Sequence, residues 1–153
     1  MATASTTTVA REELHDFIRP RHKALLSTTR ADGRPQLSPV SCGLDAHGRI
    51  VISTYPQRAK ARNIRKDPRV SVCVLSDDWN GAYVQTDGTA EVLDLPDALD
   101  ALVDYYRVIS GEHPDWDDYR TAMTRQGKCL IRVTIQRWSP ISTGGFPAHL
   151  NMD

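Results

Sequence analysis

The chain has 153 residues, of which 19 are basic and 19 acidic, so its formal net charge at pH 7 is zero. That length is typical of one domain with room for a real core, and the charge balance excludes bulk attraction to nucleic acid or to an anionic membrane surface. No apolar run approaches bilayer-spanning length, no signal-type segment opens the chain, and the three cysteines, Cys42, Cys73 and Cys129, are widely spaced. They read as buried thiols in a reducing compartment, the cytoplasm, and against a disulfide framework or a CxxC metal site.

Residues 1–7 are small and polar and read as disordered. Thr8 is placed to cap a short helix, with Glu12 and Glu13 in its first turns and Leu14, Phe17 and Ile18 as its apolar stripe, stopped by Pro20. The period then changes to two. Strands are expected over 24–29, 35–44 and 49–54, joined by turns at Asp32-Gly33 and at 45–48, as a three-stranded antiparallel meander. Further strands over 70–75, 82–93 and 129–135 bring the expected number to six. Helices are expected over 57–66, 96–109 and 115–125, the last ended by Gly127. The fold class that follows is mainly β, a small, mostly antiparallel β-barrel with flanking helices. Its parts are a short N-terminal segment (1–13), one domain (14–140) and an irregular tail (141–153) that holds Phe146 and His149.

Within this neutral whole, charge is uneven. Residues 53–74 hold six cations, Arg58, Lys60, Arg62, Arg65, Lys66 and Arg69, against one acid, Asp67. At about 100° per residue, Arg58, Arg62, Arg65 and Lys66 share one arc of a helix, while Lys60 turns the other way with Asn63 and Ile64. With Ile64 facing the core, Lys60 and Asn63 are expected against the body of the protein. Ser53 and Thr54 end the preceding strand, so hydroxyls, free amides and the positive end of a helix dipole meet in one place, a setting for phosphate. A run of like charge also serves solubility, and the same residues read equally well as a solvated helix face.

Three segments, DGRPQLS at 32–38, RAKARNIRKDPR at 58–69 and GEHPDWDDYR at 111–120, resemble the signatures of the actinobacterial deazaflavin-dependent oxidoreductases. That family lies in the split β-barrel superfamily that also holds pyridoxamine 5'-phosphate oxidases and flavin reductases. The resemblance covers about residues 14–135. It implies a homodimer that binds coenzyme F420 in a groove between subunits. The implied reaction is hydride transfer to a conjugated, electron-poor acceptor such as a quinone, a coumarin-type lactone or a tetrapyrrole. Carried over by residue, it implies Lys60 and Asn63 at the phosphate and ribityl region and Arg58 and Arg62 at phosphate or tail carboxylates. Gln36, Ser38, Val40, Ser53 and Thr54 would line the flat ring. Trp79 and Tyr83 would close over the ring or pack at the subunit contact. No catalytic side chain is implied.

Two other readings use the same scaffold: an FMN enzyme of the pyridoxamine phosphate oxidase or flavin reductase kind, and a non-catalytic cofactor carrier. The segment 111–120 gathers acids around His113, but its spacing fits neither HExxH nor an EF-hand loop, and no metal is expected. Asp115 is expected to cap a helix, with Trp116 and Tyr119 packing inward. With no GxSxG, P-loop or GxGxxG, hydrolase, NTPase and Rossmann readings lack support.

Overall fold

Alternating burial builds the sheet. The computed structural model describes residues 9–145, so Thr8, Phe146 and His149 lie outside the described residues. In β1 (Lys23–Thr29) the residues Ala24, Leu26 and Thr28 point inward, and in β5 (Arg69–Leu75) Val70, Val72 and Val74 do the same. β2 (Pro35–Ser41) and β3 (Gly43–Leu44) follow the first hairpin, then β4 (Ile50–Thr54), and later β6 (Ala82–Leu93), β7 (Cys129–Trp138) and the two-residue β8 (Ser142–Thr143). The strand order is β2-β1-β5-β6-β7-β4-β3, antiparallel throughout, with β8 added on β6. This is a mainly β, antiparallel sheet curled into a half-barrel with helices against its outside, a split barrel.

The expected meander holds only at its ends. β2 pairs with β1 and β3 pairs with β4, but the second strand breaks at Cys42, whose N–H bonds to the His22 carbonyl at 2.9 Å. β4 instead finds its main partner in β7, with Thr54 opposite Cys129 and Ile50 opposite Val133. Consecutive β2 and β3 thus stand at opposite ends of the strand order, and that curls the sheet.

β4 and the start of β7 are buried on both faces because both faces are covered there. Ile50, Ile52, Ile131 and Val133 fill the barrel interior, while Val51 and Leu130 face outward into a second core with Leu102, Val103 and Tyr119. The helices over that second core are α3 (Leu99–Ser110) and α4 (Trp116–Gln126). Asp115 caps α4 by accepting from the Asp118 N–H at 3.1 Å; Tyr119 is buried and donates to the Leu102 carbonyl at 2.8 Å, and Trp116 is half-buried. α1 (Arg11–Ile18) buries Leu14, Phe17 and Ile18, but its N-cap is Ala10, which has no side chain to cap with. α2 (Ala59–Lys66) crosses between β4 and β5 and buries Ala61 and Ile64. No helix of the described residues is long and apolar enough to cross a membrane.

β6 pairs with β5, β7 and β8, and its register with β7 shifts at a bulge between Asp87 and Gly88. A Cβ at position 88 would lie 2.0 Å from the Thr134 carbonyl oxygen, a backbone atom that cannot step aside. Gly88→Ala is therefore expected to lower stability by about 2–4 kcal/mol through forced separation of β6 and β7, read as a drop in the urea midpoint.

Candidate functional site

The junction of β4 and α2 breaks a local electrostatic rule. Helix N-termini carry partial positive charge and favour acids. α1, α3 and α4 comply, with Glu12 and Glu13, Asp100, and Asp117 and Asp118 in their first turns. α2 has no acid there; Arg58 is its N-cap without a side-chain cap bond, and Lys60 is in its first turn. An anion would relieve both the uncapped amides and the two cations.

Ion pairing then sorts the six cations. Arg65 donates to both carboxylate oxygens of Asp94 at 2.8 Å, and Arg69 holds Asp67 through Nε and Nη2 at 3.0 and 2.7 Å. Arg58, Lys60, Arg62 and Lys66 have no carboxylate within 4.0 Å among the described residues. Arg62 and Lys66 stand exposed on the outer arc of α2, whereas Lys60 is half-buried.

Arg58 and Lys60 line a hollow of about 300 Å³ together with Val40, Ser53 and Thr54, which the sequence also singles out. The sequence reading missed the other walls: Ser41, Tyr55, Tyr105 from α3 and Lys128 just before β7. Tyr105 donates its hydroxyl to the Ser41 carbonyl at 3.1 Å and ties α3 to β2. No acid lines this hollow.

The remaining expected residues lie around it. Asn63 Nδ2 donates to Thr28 Oγ1 at 3.1 Å, and Thr28 donates to Gln36 Oε1 at 3.3 Å, a relay that fastens α2 to β1 and β2. Asn63 and Gln36 are thus engaged with the scaffold. Ser38 Oγ, on β2, is buried with no hydrogen-bond partner, and Ser38 lines neither this hollow nor the groove beside it. Trp79, 84% exposed, lines a shallow apolar groove with Leu25 and Leu75 on the other flank of β2; Pro39, Val40 and Ser41 border both this groove and the basic hollow. Tyr83, on β6, lines neither.

A more enclosed hollow of about 280 Å³ lies between α3 and β4, over Val51 and Leu130. Its arginines are already paired, Arg49 with Asp45, Arg107 with Asp104 and Glu112, and Arg132 with Glu91, so it has no unmet charge. In the segment 111–120, His113 Nδ1 accepts from the Asp115 N–H at 2.9 Å, and Tyr106, His113, Trp116 and Tyr119 pack with ring centroids 5.0–5.8 Å apart. This cluster joins α3 to α4. The described residues contain no group of three side chains suited to a metal ion.

Burial sets the protonation of the site. It pulls the Lys60 ammonium down from its ordinary value, and the Arg58 guanidinium adds to that, while the neighbouring Cys129 opposes it. Burial also pushes the Tyr105 phenol up, so it stays protonated at neutral pH. The Cys42 thiol is raised to about 12 and that of Cys129 to about 11, chiefly by burial, so neither is a nucleophile near neutrality.

The family described as pyridoxamine 5'-phosphate oxidase matches residues 10–142. The chain belongs to that family. Solved structures of the same fold include a conserved hypothetical protein from Mycobacterium tuberculosis, 24% identical over 91% of this chain and 89% of that one, with a TM-score of 0.74. An F420 reductase is 20% identical over 82% of this chain and 94% of its own, with a TM-score of 0.62. A heme storage protein from Vibrio cholerae is 19% identical over 87% and 95%, with a TM-score of 0.66. At these identities the likeness is one of fold, and it spans both a redox enzyme and a storage protein.

One outcome tests the hollow, and a second tests the unpartnered Ser38 hydroxyl. Protonated Lys60 is the form that attracts an anion, so affinity for sulfate is full below the lowered Lys60 value and falls as pH rises through it, beginning below the ordinary lysine range; Lys60→Arg moves that fall to higher pH in an NMR titration. Ser38→Ala deletes a buried hydroxyl with no partner, and unfolding is expected to show stability unchanged within about 0.5 kcal/mol, or raised.

Proposed function

We propose that the protein is a reductase that uses reduced coenzyme F420 to transfer a hydride to a conjugated, electron-poor small molecule, such as a quinone, a coumarin-type lactone or a tetrapyrrole. The observation that carries this reading is the acid-free cationic hollow at the start of α2, bordered by the free flank of β2. The coenzyme has a phosphodiester and a tail of glutamates, an extended anion. The unpaired cations suit such a shape: Arg58 and Lys60 in the hollow, then Arg62 further along the exposed arc of α2. Arginine forks two bonds onto a phosphate or carboxylate, while lysine acts as a mobile point charge.

The residues present fit the group. Ser53 and Thr54 offer hydroxyls beside the cations, and the Asn63–Thr28–Gln36 relay holds α2 rigidly against the strands that would bear the ring. When bound, the coenzyme supplies the hydride. The protein's own part is position and electrostatics, with Val40 and Trp79 offering an apolar flank on which a flat acceptor can stack. In this reading a second copy docks on β2, the end strand of the sheet, where Leu37 is 63% exposed, and the working unit is a homodimer.

The family match supports a second reading, in which the groove holds FMN. A single phosphomonoester, however, calls for fewer cations than the hollow and helix arc together present. The decisive experiment is to purify the protein, record its spectrum and titrate it with F420. The F420 reading expects colourless protein that takes up the coenzyme and oxidises its reduced form only when an acceptor is added. A yellow protein with a flavin spectrum overturns it in favour of FMN, and binding without turnover of any acceptor reduces the protein to a carrier. Lys60→Ala is expected to weaken coenzyme binding by about 1.5–3 kcal/mol, the range for a hydrogen bond to a charged group, with the melting temperature unchanged.

A further inference from the structure

Lys128 belongs to none of the sequence motifs, yet it lines the same hollow as Arg58 and Lys60. Three contacts fix its place. α4 ends on Gly127, left-handed at φ 67°, whose N–H reaches the carbonyls of Met123 and Thr124, and the Lys128 N–H returns to Met123 at 3.3 Å. β7 begins at the next residue, and the pairing of Thr54 with Cys129 sets Tyr55 opposite Lys128. The Lys128 ammonium then lies 4.3 Å from the centre of the Tyr55 ring. Such a contact orders a long cationic side chain without cancelling its charge. Among the described residues no carboxylate lies within 4.0 Å of that ammonium.

The hollow is therefore gripped from two sides, by Arg58 and Lys60 at the start of α2 and by Lys128 on the α4–β7 turn, with no acid in its wall. One phosphate held by Arg58 and Lys60 leaves the third cation, ordered on the Tyr55 ring, without a counter-charge. We propose that the site takes a linear ligand with two anionic groups in series, one held by Arg58 and Lys60 and the next by Lys128. Lys128 is a binding residue, and Tyr55 is a positioning residue that aims it. This rests on the reading of the hollow as an anion site and specifies the class of anion.

Calorimetric titration of the full chain with inorganic phosphate and with inorganic triphosphate, neither of which has a ring, tests it apart from the identity of the coenzyme. Triphosphate is expected to bind at least about tenfold more tightly than phosphate, and Lys128→Ala to remove most of that advantage, with Lys128→Arg restoring it. Tyr55→Leu should weaken triphosphate several-fold and leave phosphate unaffected. Equal binding of the two anions, or a folded Lys128→Ala variant with unchanged triphosphate affinity, overturns the proposal; so does a Lys128→Ala loss as large for phosphate as for triphosphate, because Lys128 would then share the first group. Triphosphate selectivity that depends on Lys128, without F420 binding, leaves this inference standing and removes the proposed function. F420 binding and turnover unaffected by Lys128→Ala does the reverse.

Discussion

The pairing of β4 with β7 is the constraint on which the rest of the structure depends. It joins residues far apart in the chain and gives the sheet two covered faces, with Ile50, Ile52, Ile131 and Val133 on one side and Val51 and Leu130 on the other. It also sets the place of the candidate site. Ser53 and Thr54 close β4, α2 starts a few residues later, and the opposed end of β7 delivers Lys128 to the same spot. Cationic groups adjoining both strands at one end of the ladder thus converge on a single hollow.

Electrostatics give that hollow its character. A chain of zero net charge has matched many of its charges: among the described residues, arginines on α2, α3, β7 and the β3–β4 turn each meet a carboxylate. Arg58 and Lys60, which meet none, stand together at the start of α2, at the end of the helix dipole where cations are least welcome. A local rule broken without internal compensation is what a binding site looks like when its ligand has the missing charge. The more enclosed hollow under α3 lacks this signature, since its charges are balanced within the protein.

Much of this was legible in the sequence because it is written in short range. Period-two alternation located β1, β5 and β6, Asp115 announced the start of α4, and the spacing around Ile64 separated inward Lys60 and Asn63 from the outer arc. Long-range matters were hidden. Nothing local tells β4 to choose β7 over β2, or breaks the second strand at Cys42, because both follow from closing the barrel. For the same reason Lys128 and Tyr105 escaped notice: they reach the hollow through strand register and helix packing, and no motif marks them. Trp79 was visible as an aromatic on a loop, but only the fold shows that it stands across β2 from the cations.

The broken second strand also has a bearing on biosynthesis. Chain growth delivers β2, β3 and β4 early, whereas β7, the main partner of β4, is among the last elements made. Until β7 leaves the ribosome, one flank of β4 and its outward Val51 stay uncovered, and a nascent chain in that state is open to improper strand pairing. Closure is a late event that depends on distant contacts, which places this protein among slow-folding topologies.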